Sequence, residues 1–87
     1  MVKVIYTKHF LRSAKKLSAV VKNKLAVKIE ILQKNPFHPL LHTKPLAGSL
    51  CGFYSLRITR EWRVVFYFLD TTTIKLIEVA HRKDIYK

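Results

Sequence analysis

The apolar positions of the chain change their period part-way along, and the change divides it. Val2-Lys3-Val4-Ile5-Tyr6 is short, β-branched and interrupted by a single lysine, the pattern of a first strand. Thr7 then offers a side-chain oxygen to the free N–H groups of a helix start. Phe10, Leu11, Ala14 and Leu17 follow at helical spacing, with Lys8, Arg12, Lys15 and Lys16 on the other side. Ser18 can cap a second helix, in which Val21, Leu25, Ile29 and Leu32 make one stripe flanked by Val20, Ala26 and Val27. Asn35-Pro36 stops it, because a residue before proline disfavours the α region. With almost nothing between them, the two helices form an antiparallel hairpin.

Asn35 to Gly52 carries all three prolines and both glycines. It reads as a long connection, and such connections in compact domains are usually functional or mobile. From Phe53 onward the period becomes two. Phe53 to Thr59 alternates, Trp62 to Leu69 is aromatic and β-branched, and Ile74 to Ala80 is a third run. Arg60-Glu61 and Asp70-Thr71-Thr72-Thr73 supply the turns, so the three strands form an antiparallel meander. The order β-α-α-β-β-β predicts an α+β domain with the helical hairpin packed on one sheet face and the other face free. At 87 residues, one small domain over 1–87 is the expectation.

Composition adds one unusual fact. Apolar residues make up 49% and charged residues 25%, which is ordinary for a folded domain, but 17 Lys+Arg against 5 Asp+Glu leaves +12. Self-repulsion of that size points to a polyanionic partner: nucleic acid, an anionic membrane or an acidic protein. The single cysteine, Cys51, cannot form an internal disulfide, and four scattered histidines (His9, His38, His42, His81) match no zinc spacing. Charges interrupt every apolar run well short of the roughly 20 residues that span a bilayer. The N-terminus does not resemble a signal peptide, so a cytoplasmic location is expected.

The charge is unevenly placed. Eight basic residues and one acid, Glu30, lie between Thr7 and Lys34. Like charges at i,i+4, such as Lys8/Arg12 and Lys24/Lys28, cost a few tenths of a kcal/mol each in an isolated helix. Any one lysine here suits a solvated helix face; the collective excess suits a phosphate backbone. Four of the five arginines instead fall in the strand half: Arg57, Arg60, Arg63 and Arg82. Arginine's planar fork holds phosphate with fixed geometry. Arg63 shares a strand face with Val65, Tyr67 and Leu69, and pairing with Glu61 or Glu78 is an equally good reading from spacing alone.

The last segment places His81, Arg82, Lys83 and Tyr86 within six positions. Individually they have structural explanations, His81 as a surface histidine and Tyr86 as a plug on the core. Together they are the side chains of metal-free phosphoryl chemistry. Cleavage of RNA by its own 2′-hydroxyl needs a proton acceptor, cations to hold phosphorane charge, and an acid for the leaving 5′-oxygen.

At these residues the sequence resembles a known family. Gly52–Ile58 (G-F-Y-S-L-R-I), Glu61–Tyr67 (E-W-R-V-V-F-Y) and Glu78–Tyr86 (E-V-A-H-R-K-D-I-Y) are similar to the RelE/ParE superfamily of bacterial toxins, and Lys44–Gly48 (K-P-L-A-G) fits its loop before the second strand. The resemblance implies a type II toxin–antitoxin toxin of the RelE-like branch. Such toxins are endoribonucleases that cut mRNA in the ribosomal A site, use no metal or other cofactor, and are silenced by a cognate antitoxin. By position it implies that Arg63 contacts the scissile phosphate, that Arg82 is a second transition-state arginine, and that Tyr86 orients or activates the 2′-hydroxyl. It implies proton transfer by Lys44, a catalytic place for His81 where several relatives carry a Lys or His, and RNA-backbone contacts by Arg57, Arg60 and Lys83.

Two departures stand beside the match. Ala47 occupies a position where some relatives have a second basic residue, and the chain reaches Lys87 without the C-terminal helix that some relatives carry. Two other readings stay open: a ParE-like gyrase poison of the same fold, and a non-catalytic module whose strand aromatics stack RNA bases.

Overall fold

Thr7 and Ser18 cap the two helices as their sequence positions require. In the computed structural model, which describes residues 1–85, the Thr7 side chain accepts from Phe10 N at the start of α1 (Lys8–Lys15). Ser18 accepts from Val21 N at the start of α2 (Ala19–Lys34). Asn35 ends α2 in an extended conformation. Ahead of the helices lies β1 (Lys3–Tyr6); after them come β3 (Tyr54–Arg57), β4 (Trp62–Asp70) and β5 (Thr73–His81).

The long connection contains an element that its composition hides. Lys44–Pro45 forms a two-residue strand, β2, antiparallel to β3. The sheet therefore has five strands in the order β1-β5-β4-β3-β2, with β1 parallel to β5 at one edge. A 3₁₀ turn over Pro39–Leu41 precedes β2 and another over Gly48–Leu50 follows it. A second addition is a short helix, α3, at Arg82–Ile85. Arg82 and Lys83 thus sit on a helical turn and do not extend the last strand.

Register assigns the faces. Leu56, Val64 and Val79 are directly opposed across β3, β4 and β5, and all three belong to the core with Phe10, Leu25, Leu32, Leu41 and Phe66. Opposed residues share a sheet face, so the helices cover this one. Burying each such side chain contributes about 1.5–3 kcal/mol, and Leu32, Leu41, Leu56 and Phe66 are fully buried. The adjacent positions Arg57, Arg63 and Ala80 are opposed on the other face. Ser55 and Val65, opposed on this same face, are also buried.

α1 and its N-cap also bond the β5 backbone, at and beyond the end of its pairing with β1. Ser13 Oγ accepts from Val79 N at 2.9 Å, and Thr7 Oγ1 donates to Leu76 O at 2.8 Å. A break in register between Val65 and Phe66 leaves Ile77 as an extra residue on β5.

Candidate functional site

The helix-free face gathers basic residues at one end of β2, β3 and β4. Lys44 is opposite Ser55 on β3, two positions from Arg57, and Arg57 is opposite Arg63. These placements put Lys44, Arg57 and Arg63 on one face, where with His42 they line a cleft of about 240 Å³. Arginines directly opposed across an antiparallel pair repel. The arrangement is retained here with Arg63 only 8% exposed.

Among the described residues neither arginine is neutralised by a carboxylate. Arg63 Nη1 donates to the carbonyl oxygen of Thr59 at 3.0 Å, a bond that orients the guanidinium and leaves its charge uncompensated. Arg57 Nε is buried with no hydrogen-bond partner. Glu78, one of the two acids that spacing could pair with Arg63, is held by His9 Nε2 at 3.0 Å. An unpaired donor and a charge without counter-ion both favour an incoming anion, and a phosphate oxygen satisfies the two together.

The other predicted residues that the structure describes are not among those lining this cleft. Arg60 is exposed in the β3–β4 turn. Arg82 is also exposed, and its backbone N–H donates to Glu61 O at 2.8 Å, which anchors the start of α3 beside the first residues of β4. His81 is opposite Trp62, with ring centroids 5.3 Å apart in an edge-on contact, and Trp62 packs against the core. Its imidazole therefore belongs to the helix-bearing side, and its Nδ1 accepts from Lys83 N at 3.2 Å as a cap for α3. Lys83 is exposed. Tyr86 lies outside the described residues.

His42 is the lining residue that sequence reasoning passed over. It follows the Pro39–Leu41 turn with φ 49 and ψ 42, a left-handed backbone unusual for a side chain with a Cβ. Nothing in its spacing marks it; only the turn brings it beside Lys44. Among the described residues no group of three or more His, Cys, Asp or Glu could hold a metal ion. A larger depression of about 450 Å³ lies on the helical layer, lined by Asn23, Lys24, Val27, Lys28 and Ile58, and lacks the arginines.

The family model of the YoeB-like toxin of bacterial type II toxin-antitoxin systems matches residues 6–83. The chain belongs to this family. Solved structures agree with the YoeB-like fold. A YoeB/ParE toxin from Agrobacterium tumefaciens superimposes with a TM-score of 0.77 at 24% identity, over 93% of this chain and 99% of that one. YafQ from Escherichia coli gives 0.79 at 18% identity, with 100% of both chains covered. A chain of the toxin-antitoxin complex RelBE2 from Mycobacterium tuberculosis gives 0.71 at 28% identity, over 93% of this chain and 98% of that one. No curated protein sequence matches the YoeB-like toxin significantly. No helix among its described residues is long and apolar enough to cross a membrane.

Proposed function

We propose that this toxin is a ribosome-dependent mRNA endoribonuclease that cuts through the 2′-hydroxyl without a metal ion, acting as one domain over 1–87 in the cytoplasm. The observation that carries the reading is the opposed pair Arg57 and Arg63, without a carboxylate partner among the described residues, in a cleft shared with Lys44. A phosphodiester gains negative charge as the 2′-oxygen attacks, and fixed guanidinium donors stabilise that charge more than they stabilise the ground state.

In this mechanism Arg63 holds the scissile phosphate. Its Thr59 bond fixes the plane of the fork while further N–H groups remain to meet oxygen. Arg57 presents its unpaired Nε to the backbone. Arg82 approaches from α3 as the second cation on the phosphorane, and Lys44 donates the proton that the 5′-oxygen needs on leaving. Arg60 and Lys83 contact flanking phosphates. His81 acts through the α3 cap that carries Arg82, and Tyr86 orients the ribose.

Two partners follow. The basic helices suit ribosomal RNA around the A site. A cognate antitoxin is the second, supported by the toxin-antitoxin complex among the similar structures. Val20 and Val27 are 64% and 55% exposed on α2 beside Lys24 and Lys28, a surface suited to an acidic protein with an apolar stripe.

Toeprinting of an mRNA under translation tests the reading. New 5′ ends should appear within A-site codons when the toxin is added, and stay absent from the same RNA without ribosomes. Equal cutting of free RNA would remove the ribosome from the mechanism. Intact mRNA with inhibited gyrase supercoiling would replace it with ParE-like action, a reading favoured by the YoeB/ParE name of the Agrobacterium protein.

A further inference from the structure

His42 differs from the other three histidines in having nothing to hold. His9 pairs with Glu78, His38 Nδ1 accepts from Leu40 N at 3.1 Å, and His81 Nδ1 accepts from Lys83 N. Among the described residues the His42 side chain makes no hydrogen bond, and it is exposed at the mouth of the cleft. The other lining side chains, Lys44, Arg57 and Arg63, are all cations. Cations stabilise a phosphorane, but none of them accepts a proton in its charged form.

The backbone that presents His42 is firmly held. Leu41 is fully buried, His42 N donates to Pro39 O at 3.2 Å, and Thr43 Oγ1 donates to Pro36 O at 2.6 Å. Lys28 Nζ ties α2 to Leu40 O at 2.9 Å. Between these anchors a residue with a Cβ sits at φ 49, where glycine would be cheaper. Backbone cost borne at a cleft, by a side chain with no hydrogen bond among the described residues, suits a residue placed for chemistry.

We propose that His42 is the general base of the cleavage, taking the proton from the 2′-hydroxyl; this rests on the ribonuclease reading above. As the 2′-oxygen forms its bond to phosphorus, its proton passes to the imidazole and the P–O5′ bond breaks. The 5′-oxygen takes a proton from the Lys44 ammonium. The products are a 2′,3′-cyclic phosphate and a 5′-hydroxyl. Imidazole is the side chain whose ordinary charge change falls between pH 5 and 8, which suits it to this task near neutrality.

His42→Gly is the decisive variant, because glycine accepts the left-handed backbone and leaves a space the size of the ring. It should melt at or above the parent temperature and still bind ribosomes. Its single-turnover cleavage of translated mRNA at pH 7 should fall about 100- to 10,000-fold. Free imidazole in the buffer should restore part of the rate, with the acid limb of the pH profile following the added base. A His42→Gln variant should be equally slow and gain nothing from imidazole. Cleavage by His42→Gly within a few-fold of the parent, or a loss that imidazole does not relieve, overturns the assignment. A parent toxin that leaves translated mRNA intact overturns the ribonuclease reading itself, and that failure is visible without any variant.

Discussion

Arg57 and Arg63 are directly opposed partners on the antiparallel strands β3 and β4, and both are substantially withdrawn from water. Like charges in this position cost roughly 0.2–1 kcal/mol. Arg57→Gln should therefore leave stability unchanged or raise the melting temperature, most clearly at low salt. The same variant should lose affinity for RNA and show a shallower salt dependence of binding. Calorimetry paired with a filter-binding salt series checks both, and a marked drop in melting temperature would mean that the pair is not repulsive.

Arg63→Lys separates geometry from charge. Lysine keeps the positive charge but has neither the planar fork nor the same reach to Thr59 O. The expected outcome is a loss of about 100- to 1,000-fold in the cleavage step, with ribosome binding little altered. Single-turnover rates decide it: a lysine variant within tenfold of the parent would show that charge alone suffices.

Ser13 connects α1 to the edge of the sheet, donating to Phe10 O at 2.9 Å and accepting from Val79 N. Ser13→Ala leaves the Val79 N–H without its partner in a partly buried place. The cost should be about 1–3 kcal/mol in urea denaturation. Amide exchange at Val79 should accelerate more than at Val64, which lies inside the sheet.

The turn between β4 and β5 carries a pH dependence. The Thr72 backbone N–H, joined by its hydroxyl, holds the Asp70 carboxyl below its usual range. A carboxyl lowered in the folded state stabilises the fold above its unfolded value, and that contribution disappears as pH falls through the folded value. The stability difference between the parent and Asp70→Ala should thus be constant from pH 7 to about 5 and shrink below about pH 4. A difference that grows on acidification would contradict the assignment.

Much of the fold was legible because local chemistry and the fold agree. Thr7, Ser18 and Asn35-Pro36 mark their helix ends by mechanisms that act within a few residues, and the period-two runs mark β3, β4 and β5. Lys44–Pro45 was not legible as a strand. Two residues carry no period, and only the partner strand beyond Gly52 makes them extended. The same holds for α3, four residues long and capped by the His81 side chain. At the site, alternation and resemblance together pointed to Arg63, Arg57 and Lys44, which the register brings to one face. His42 escaped because its position depends on a left-handed residue after a 3₁₀ turn, and His81 looked like a site residue although the alternation turns it toward Trp62.

The parallel pairing of β1 with β5 has a consequence for when the protein can act. Lys3 is matched with Thr73, and Thr7 with Leu76 through a hydrogen bond spanning 69 residues. β4, which carries Arg63, lies between β3 and β5 and lacks one neighbour until β5 is in place. Such distant contacts form late, since chain closure must precede them. A nascent chain still missing its last strand cannot assemble the arginine cleft. On the ribonuclease reading proposed above, the wiring of the sheet thus withholds the arginine cleft until β5 has been made.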